Sequence, residues 1–247
     1  MNKNKRQIKS LNIGLKILGG LLFFLPLHLS AYESPYNLPV FRDVLKKVKL
    51  QHPNDKIRIG YGGFENKAKP YFFLEKGQYM TFKAEKSLGG SIVRSELRMG
   101  PVDWSVDTER SKILDAELHL SKPVDLNQIT LLQIHAVKPS YPPLRVVWLR
   151  KHKNIKDHIW AVVRPSPYTS GINYIDLGKR SSKVFTRYTI RVQKGWLQMM
   201  VNGKFKLKQS LALWQGTVNY YKAGLYLSGK GDGGKAKIRF KSLEYKF

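Results

Sequence analysis

Three short segments put groups that bind anions or move protons on one face of a strand. The first is Val93-Arg94-Ser95-Glu96-Leu97-Arg98-Met99. Successive side chains of a strand point to opposite faces, so Arg94, Glu96 and Arg98 share one face and Ser95, Leu97 and Met99 the other. In Leu131-Leu132-Gln133-Ile134-His135-Ala136, Gln133 and His135 share a face, backed by Leu132, Ile134 and Ala136. In Tyr220-Tyr221-Lys222-Ala223-Gly224-Leu225-Tyr226, the residues Tyr220, Lys222, Gly224 and Tyr226 lie opposite Tyr221, Ala223 and Leu225. Arginine suits the capture of a carboxylate, because its planar, permanently charged fork can donate two parallel hydrogen bonds. Taken singly, each segment has an ordinary reading. An Arg-Glu-Arg face is usually a solvated salt-bridge row worth little energy. Gln-x-His is commonly a surface pair, and Tyr-x-Lys is common on edge strands. Their joint occurrence, in this order, is what carries information.

The elements that must position these groups are strands. From about Lys56 onward, runs of period two dominate: Ile57 to Tyr61, Ile113 to Leu120, Leu144 to Leu149, Val184 to Val192 and Ala236 to Phe240. Gly62-Gly63, Gly89-Gly90, Pro101, Pro139, Pro142-Pro143 and Gly229 to Gly234 separate them as turns or loops. Asn202-Gly203, between Leu197-Val201 and Lys204-Leu207, predicts a two-residue hairpin, since this pair accepts the positive φ angles of a type I′ turn. Many short strands without alternating helices indicate an antiparallel sandwich or barrel. One helix is expected over Val40 to Val48, where Phe41, Val44, Leu45 and Val48 fall at helical spacing. There is no internal repeat and no linker.

Composition sets the boundaries. The chain has 247 residues, 42% of them hydrophobic and 12% aromatic, which reads as globular. It has no cysteine, which excludes disulfides, a thiol nucleophile and Cys-ligated zinc. Residues 1–31 read as a secretory signal: Lys3, Lys5, Arg6, Lys9 and Lys16 precede an apolar run from Ile17 to Leu29, and Ser30-Ala31 offers a small-residue cleavage point. The rival reading is an uncleaved anchor, but the run is short for a bilayer. Residues 32–247 are expected to form one domain. The net charge is +27; the five basic residues of the signal leave +22 on the remainder. A surplus this large attracts polyanions from a distance. For an exported protein, secreted or periplasmic, acidic polysaccharide leads over nucleic acid and over a lasting membrane association.

The first segment resembles the R-[ST]-E-[LV]-R motif of polysaccharide lyase family 7, the alginate lyases. Gln133-Ile134-His135 resembles that family's Q-[IV]-H, and Tyr220 to Tyr226 its Y-F-K-A-G-x-Y. The resemblance covers about residues 36 to 247 and keeps the family's motif order. It departs after the last tyrosine, where Leu227-Ser228 stands in place of a polar pair such as Asn-Gln. The resemblance implies a jelly-roll sandwich of two antiparallel sheets with a concave substrate groove, and cleavage of a polyuronate by β-elimination. It also implies that residues 32–247 are the catalytic domain, and it implies roles. Arg94 and Gln133 would hold the carboxylate at the reacting subsite, with a hydrogen bond from His135. Tyr226 would protonate the leaving oxygen, acting also as base for one C5 epimer while His135 serves the other. Lys222 and Arg98 would favour the Tyr226 phenolate and, with Glu96 and Tyr220, bind flanking sugars. Glu96 is expected to orient the arginines. In family terms Ile134 leans towards guluronate-containing blocks. No metal or cofactor is implied, and the enzyme is expected to act as a monomer. The rival functions are a non-catalytic module for acidic polysaccharide and a lyase for another polyuronate such as glucuronan.

Overall fold

The computed structural model describes residues 32–100 and 103–247; the signal-like segment 1–31 and the turn at Pro101 lie outside the described residues. The strand-rich pattern folds into two antiparallel sheets. The larger has the order β10 (Asn173–Lys179), β9 (Ile155–Val163), β8 (Leu144–His152), β7 (Gln128–Ala136), β14 (Asn219–Leu227), β5 (Val93–Met99), β1 (Val48–Gln51) and β2 (Ile57–Ile59). The smaller has the order β13 (Lys204–Ser210), β12 (Trp196–Val201), β11 (Thr186–Gln193), β6 (Lys112–Leu120), β15 (Gly234–Lys246), β4 (Tyr79–Lys86) and β3 (Phe72–Glu75). This is the expected two-sheet jelly roll. The expected Asn-Gly hairpin joins β12 to β13, with Asn202 at φ 49° and Gly203 at φ 74°.

The core lies between the sheets. Ile134, Leu97 and Leu225 come from the larger sheet and Phe82, Phe240 and Met199 from the smaller, all fully buried. Each such side chain contributes about 1.5–3 kcal/mol of hydrophobic stabilisation. A separate apolar cluster of Val147, Leu149, Trp160 and Val162 covers the other face of β8 and β9.

The single α-helix among the described residues, α1 (Pro39–Lys46), is shorter than its periodicity suggests. Phe41, Val44 and Leu45 are buried as expected, but Val48 opens β1 and pairs with Met99 on β5. The ladder hydrogen bonds offered by β5 outweigh one more helical turn.

Candidate active site

β14 runs between β7 and β5, so the three chemically equipped segments are adjacent strands. Their register forms two rows across the sheet. In the first, Arg98 stands opposite Lys222, Lys222 opposite Gln133, and Gln133 opposite Arg145 of β8. In the second, Arg94 stands opposite Tyr226, and Tyr226 opposite Thr130. Between the rows lies Gly224, at φ 141° and opposite Glu96. A side chain there would meet the Ser95 carbonyl oxygen at 2.4 Å and Glu96 Cα at 2.8 Å. Only glycine lets the two backbones approach this closely.

Above that gap Glu96 reaches across β14. Gln133 Nε2 donates to Glu96 Oε1 at 2.5 Å, and Lys222 Nζ lies 2.5 Å from Oε2. Arg94 Nη1 is more distant, 4.0 Å from the same oxygen. Glu96 is fully buried and does not line the cavity above it. Its placement as a sugar-binding residue is therefore corrected: the carboxylate positions Gln133 and Lys222, and the arginine is its weakest contact. Burial pulls the Lys222 pKa down, and Glu96 is the group that opposes the fall.

The cavity holds about 330 Å³ and is lined by Arg94, Gln133, His135, Lys222 and Tyr226, the core of the expected set. Arg145, Arg164, Gln128 and Ser228 join them, and no carboxylate does. The guanidinium of Arg94 sits 4.7 Å from the centre of the Tyr226 ring, and its buried Nε has no protein partner among the described residues. Its backbone is clasped by the turn before β2: Arg94 N–H donates to the Pro53 carbonyl at 2.5 Å, and His52 Nδ1 lies 2.8 Å from the Arg94 carbonyl oxygen. Arg98, expected beside Tyr226, instead lies over Tyr220, 4.1 Å from its ring centre. Arg98 is four residue steps from Arg94, which carries it about 13 Å along the strand. Arg98 and Tyr220 therefore flank the cavity and do not enter it.

His135 is set by its neighbours. Its Nδ1 lies 2.8 Å from the carbonyl oxygen of Ala136 and 3.2 Å from the Tyr220 hydroxyl. A carbonyl only accepts, so Nδ1 carries the hydrogen and Nε2 the lone pair. Burial, helped by Lys222 and Arg94, lowers its pKa to about 4. The ring is therefore neutral at neutral pH. Burial raises the Tyr220 hydroxyl above its ordinary value, so it stays a phenol.

Sequence reasoning missed Arg145, which sits in the otherwise apolar run Leu144 to Leu149; a lone arginine at an alternating position was the available signal. Gln128 was missed because β7 breaks alternation. Leu131 and Leu132 both pack in the core, with register shifts at this point against both neighbours. Ser228, where the motif departs from the family, accepts a hydrogen bond from Gln128 Nε2 at 2.9 Å. Among the described residues no group of three His, Asp or Glu side chains is placed to hold a metal ion. A larger cleft of about 620 Å³ lies by His52, Tyr71, Lys83, Val124 and Lys237, but it contains none of Arg94, Gln133, His135, Lys222 and Tyr226.

The sequence matches the alginate lyase family model (Alginate_lyase2) over residues 38–246. The chain belongs to the alginate lyase family. An alginate lyase of Photobacterium sp. (strain ATCC 43367) is 27% identical to this lyase over 257 residues, covering 86% of this chain and 87% of that one. Alginate lyase AlyC3 superimposes with a TM-score of 0.76 at 24% identity, over 87% of this chain and 96% of its own. AlyC3 has also been solved in complex with dimannuronate. Alginate lyase A1-II′, a member of polysaccharide lyase family-7, gives a TM-score of 0.67 at 22% identity, covering 82% of this chain and 95% of its own. The structural likenesses bear out the fold. Family membership makes the protein a polysaccharide lyase, with an acidic polysaccharide as its substrate class.

Proposed function

We propose that this lyase cleaves alginate endolytically by β-elimination, with a lean to guluronate-containing blocks, leaving a 4-deoxy unsaturated uronate at each new non-reducing end. The observation that carries this reading is the cavity itself: Arg94, Arg145, Arg164 and Lys222 line it beside a neutral His135 and the Tyr226 phenol, with no carboxylate among them.

The C5 proton of a uronate is weakly acidic, because its removal builds a second negative charge beside the carboxylate. Neutralising that carboxylate is the main electrostatic task. Arg94 and the second N–H of Gln133 hold it, and Arg145, opposite Gln133, adds a further positive charge. His135 Nε2, bearing the lone pair, accepts the C5 proton. The C–H electron pair becomes the C4=C5 double bond, the C4–O bond breaks, and Tyr226 gives its proton to the departing oxygen. The tautomer supports the base role for His135 over donation to the carboxylate. For the C5 epimer whose hydrogen lies on the side of the leaving oxygen, Tyr226 performs both transfers. Ile134 is fully buried on the core face, so the lean to guluronate rests on His135 as base and not on contact with Ile134.

Endolytic action fits a polar face that continues past the cavity on both sides. Arg98 over Tyr220 lies to one side, and Tyr174, stacked on His152 with ring centres 4.2 Å apart, to the other. Residues 32–247 are the catalytic domain in this reading, and residues 1–31 a secretory signal that delivers a monomeric enzyme to the periplasm or beyond. The test is Tyr226→Phe with alginate. Ultraviolet absorbance from the conjugated product should be abolished while polymer binding is kept; a fully active variant refutes the mechanism.

A further inference from the structure

We propose that the outer face of β11, β12 and β13, on the sheet that does not carry the cavity, is a second binding surface for a polyuronate chain. The inward side chains of these strands, Ile190, Val192, Leu197, Met199 and Leu207, are buried in the core. The outward ones form two cross-strand rows. Arg191 stands opposite Gln198 and Gln198 opposite Lys208; Gln193 stands opposite Trp196 and Trp196 opposite Ser210. With Lys194 they enclose a shallow depression of about 260 Å³.

Two features set this depression apart from an ordinary basic surface. The first is Trp196, 45% exposed, while Trp104, Trp148, Trp160 and Trp214 are all buried. An indole presented on an open sheet offers a flat apolar platform to the C–H face of a pyranose. The second is the pairing of the cations. Arg191 donates to Ser111 Oγ at 2.9 Å and to Gln193 Oε1 at 2.5 Å, both neutral partners. The Lys208 ammonium lies 4.7 Å from the Trp196 ring centre, and neither cation has a carboxylate partner among the described residues. The nearest ion pair, Lys194 with Glu109 at 3.0 Å, is exposed and screened. Arg191 and Lys208 are two strands apart, about 9–10 Å, roughly the length of a disaccharide. Alternate acidic groups of a uronate chain, one disaccharide apart, can meet them while Trp196, beside Lys208, stacks on a sugar and the glutamine amides take hydroxyls.

This surface and the cavity lie on opposite sides of the sandwich. A long chain held on the outer face therefore raises the local concentration of polymer without occupying the cavity. The choice of polyuronate rests on the proposed activity; the cationic and aromatic character of the surface does not.

The test is a W196A/K208E double variant, with Lys46→Glu on α1 as a charge-matched control. In a Tyr226→Phe background, where polymer is not cut, retardation is measured in native gels containing alginate. The double variant should bind about fivefold or more weakly, and the control less than about twofold. In the active background, KM for long polymer should rise while kcat/KM for a trisaccharide stays the same. Equal retardation of double variant and parent overturns the proposal, as does an equal loss in the control. Stronger retardation by a polynucleotide than by alginate reassigns the surface to nucleic acid. A parallel loss on the trisaccharide means that the surface is not separate from the cavity. If the unaltered enzyme releases no unsaturated ends but the double variant still loses retardation, the proposed activity falls and the surface stands.

Discussion

Glu96→Gln isolates the one carboxylate on which the positive cavity is built. Lys222 is 3% exposed and its ammonium lies 2.5 Å from Glu96 Oε2. The glutamine keeps an oxygen for Gln133 but turns an amide donor towards an ammonium that also donates. Removing one partner of a buried pair costs about 3–5 kcal/mol, because the remaining charge stays desolvated. For a domain of this size, that lowers Tm by about 6–20 °C. The pH dependence carries the sign. Burial already lowers the folded pKa of Lys222 while Glu96 raises it, so the variant lowers it further. The unfolded lysine keeps its ordinary value, so between the two values the unfolded chain binds more protons and stability rises with pH. The deficit of Glu96→Gln should therefore be large near neutral pH and shrink towards about pH 9–10. A double variant, Glu96→Gln with Lys222→Met, removes both charges and should recover most of the loss. Urea and thermal unfolding of the parent, Glu96→Gln, Lys222→Met and the double variant across this pH range is the assay. A Glu96→Gln protein as stable as the parent, a deficit that grows with pH, or a double variant no better than the single one would refute the reasoning.

Two further outcomes follow from the same geometry. His135 has a folded pKa of about 4, below its ordinary value, so the stability it confers is present above the unfolded value near 6.5 and is lost as pH falls through about 4. If Nε2 is the base, kcat/KM on guluronate-rich substrate should fall over that acid range too, with no loss from this group between about pH 6 and 8; a midpoint near 6.5 that disappears in His135→Gln would show the ring to be solvated. Gly224→Ala should be poorly folded and inactive, because its methyl group would lie 2.4 Å from the Ser95 carbonyl oxygen at a φ of 141°. Recovery of a soluble Gly224→Ala enzyme with parental Tm and turnover would show that β14 and β5 have room to separate.

The cavity was legible where strict alternation holds. On β5 and β14 the period of two puts Arg94, Lys222 and Tyr226 on the face where the structure has them, since those strands pair without irregularity. On β7 the same rule holds for Gln133 and His135 but fails beyond Leu131, where the register shift returns Gln128 to the cavity. A one-residue irregularity leaves no mark in hydrophobicity when both residues involved are leucine. Arg145 was hidden for a related reason: its strand reads as core, and only the neighbouring sheet order shows it opposite Gln133. The role of Glu96 turned on burial, which a sequence motif does not display. The end of α1 was misjudged because helical periodicity is blind to the strand partner that claims Val48.

The strand order has a consequence for how the enzyme comes into being. β14 is inserted between β7 and β5, and β15 between β6 and β4, so residues 219–246 close both sheets at once. A chain still lacking them has four interior strands with bare edges, and its lysine-rich surface has no assembled cavity. Such long-range pairing is slow and leaves edges prone to association. Activity therefore arrives in a single late step, and the half-made protein is inert towards polymer until its penultimate strand has found its place.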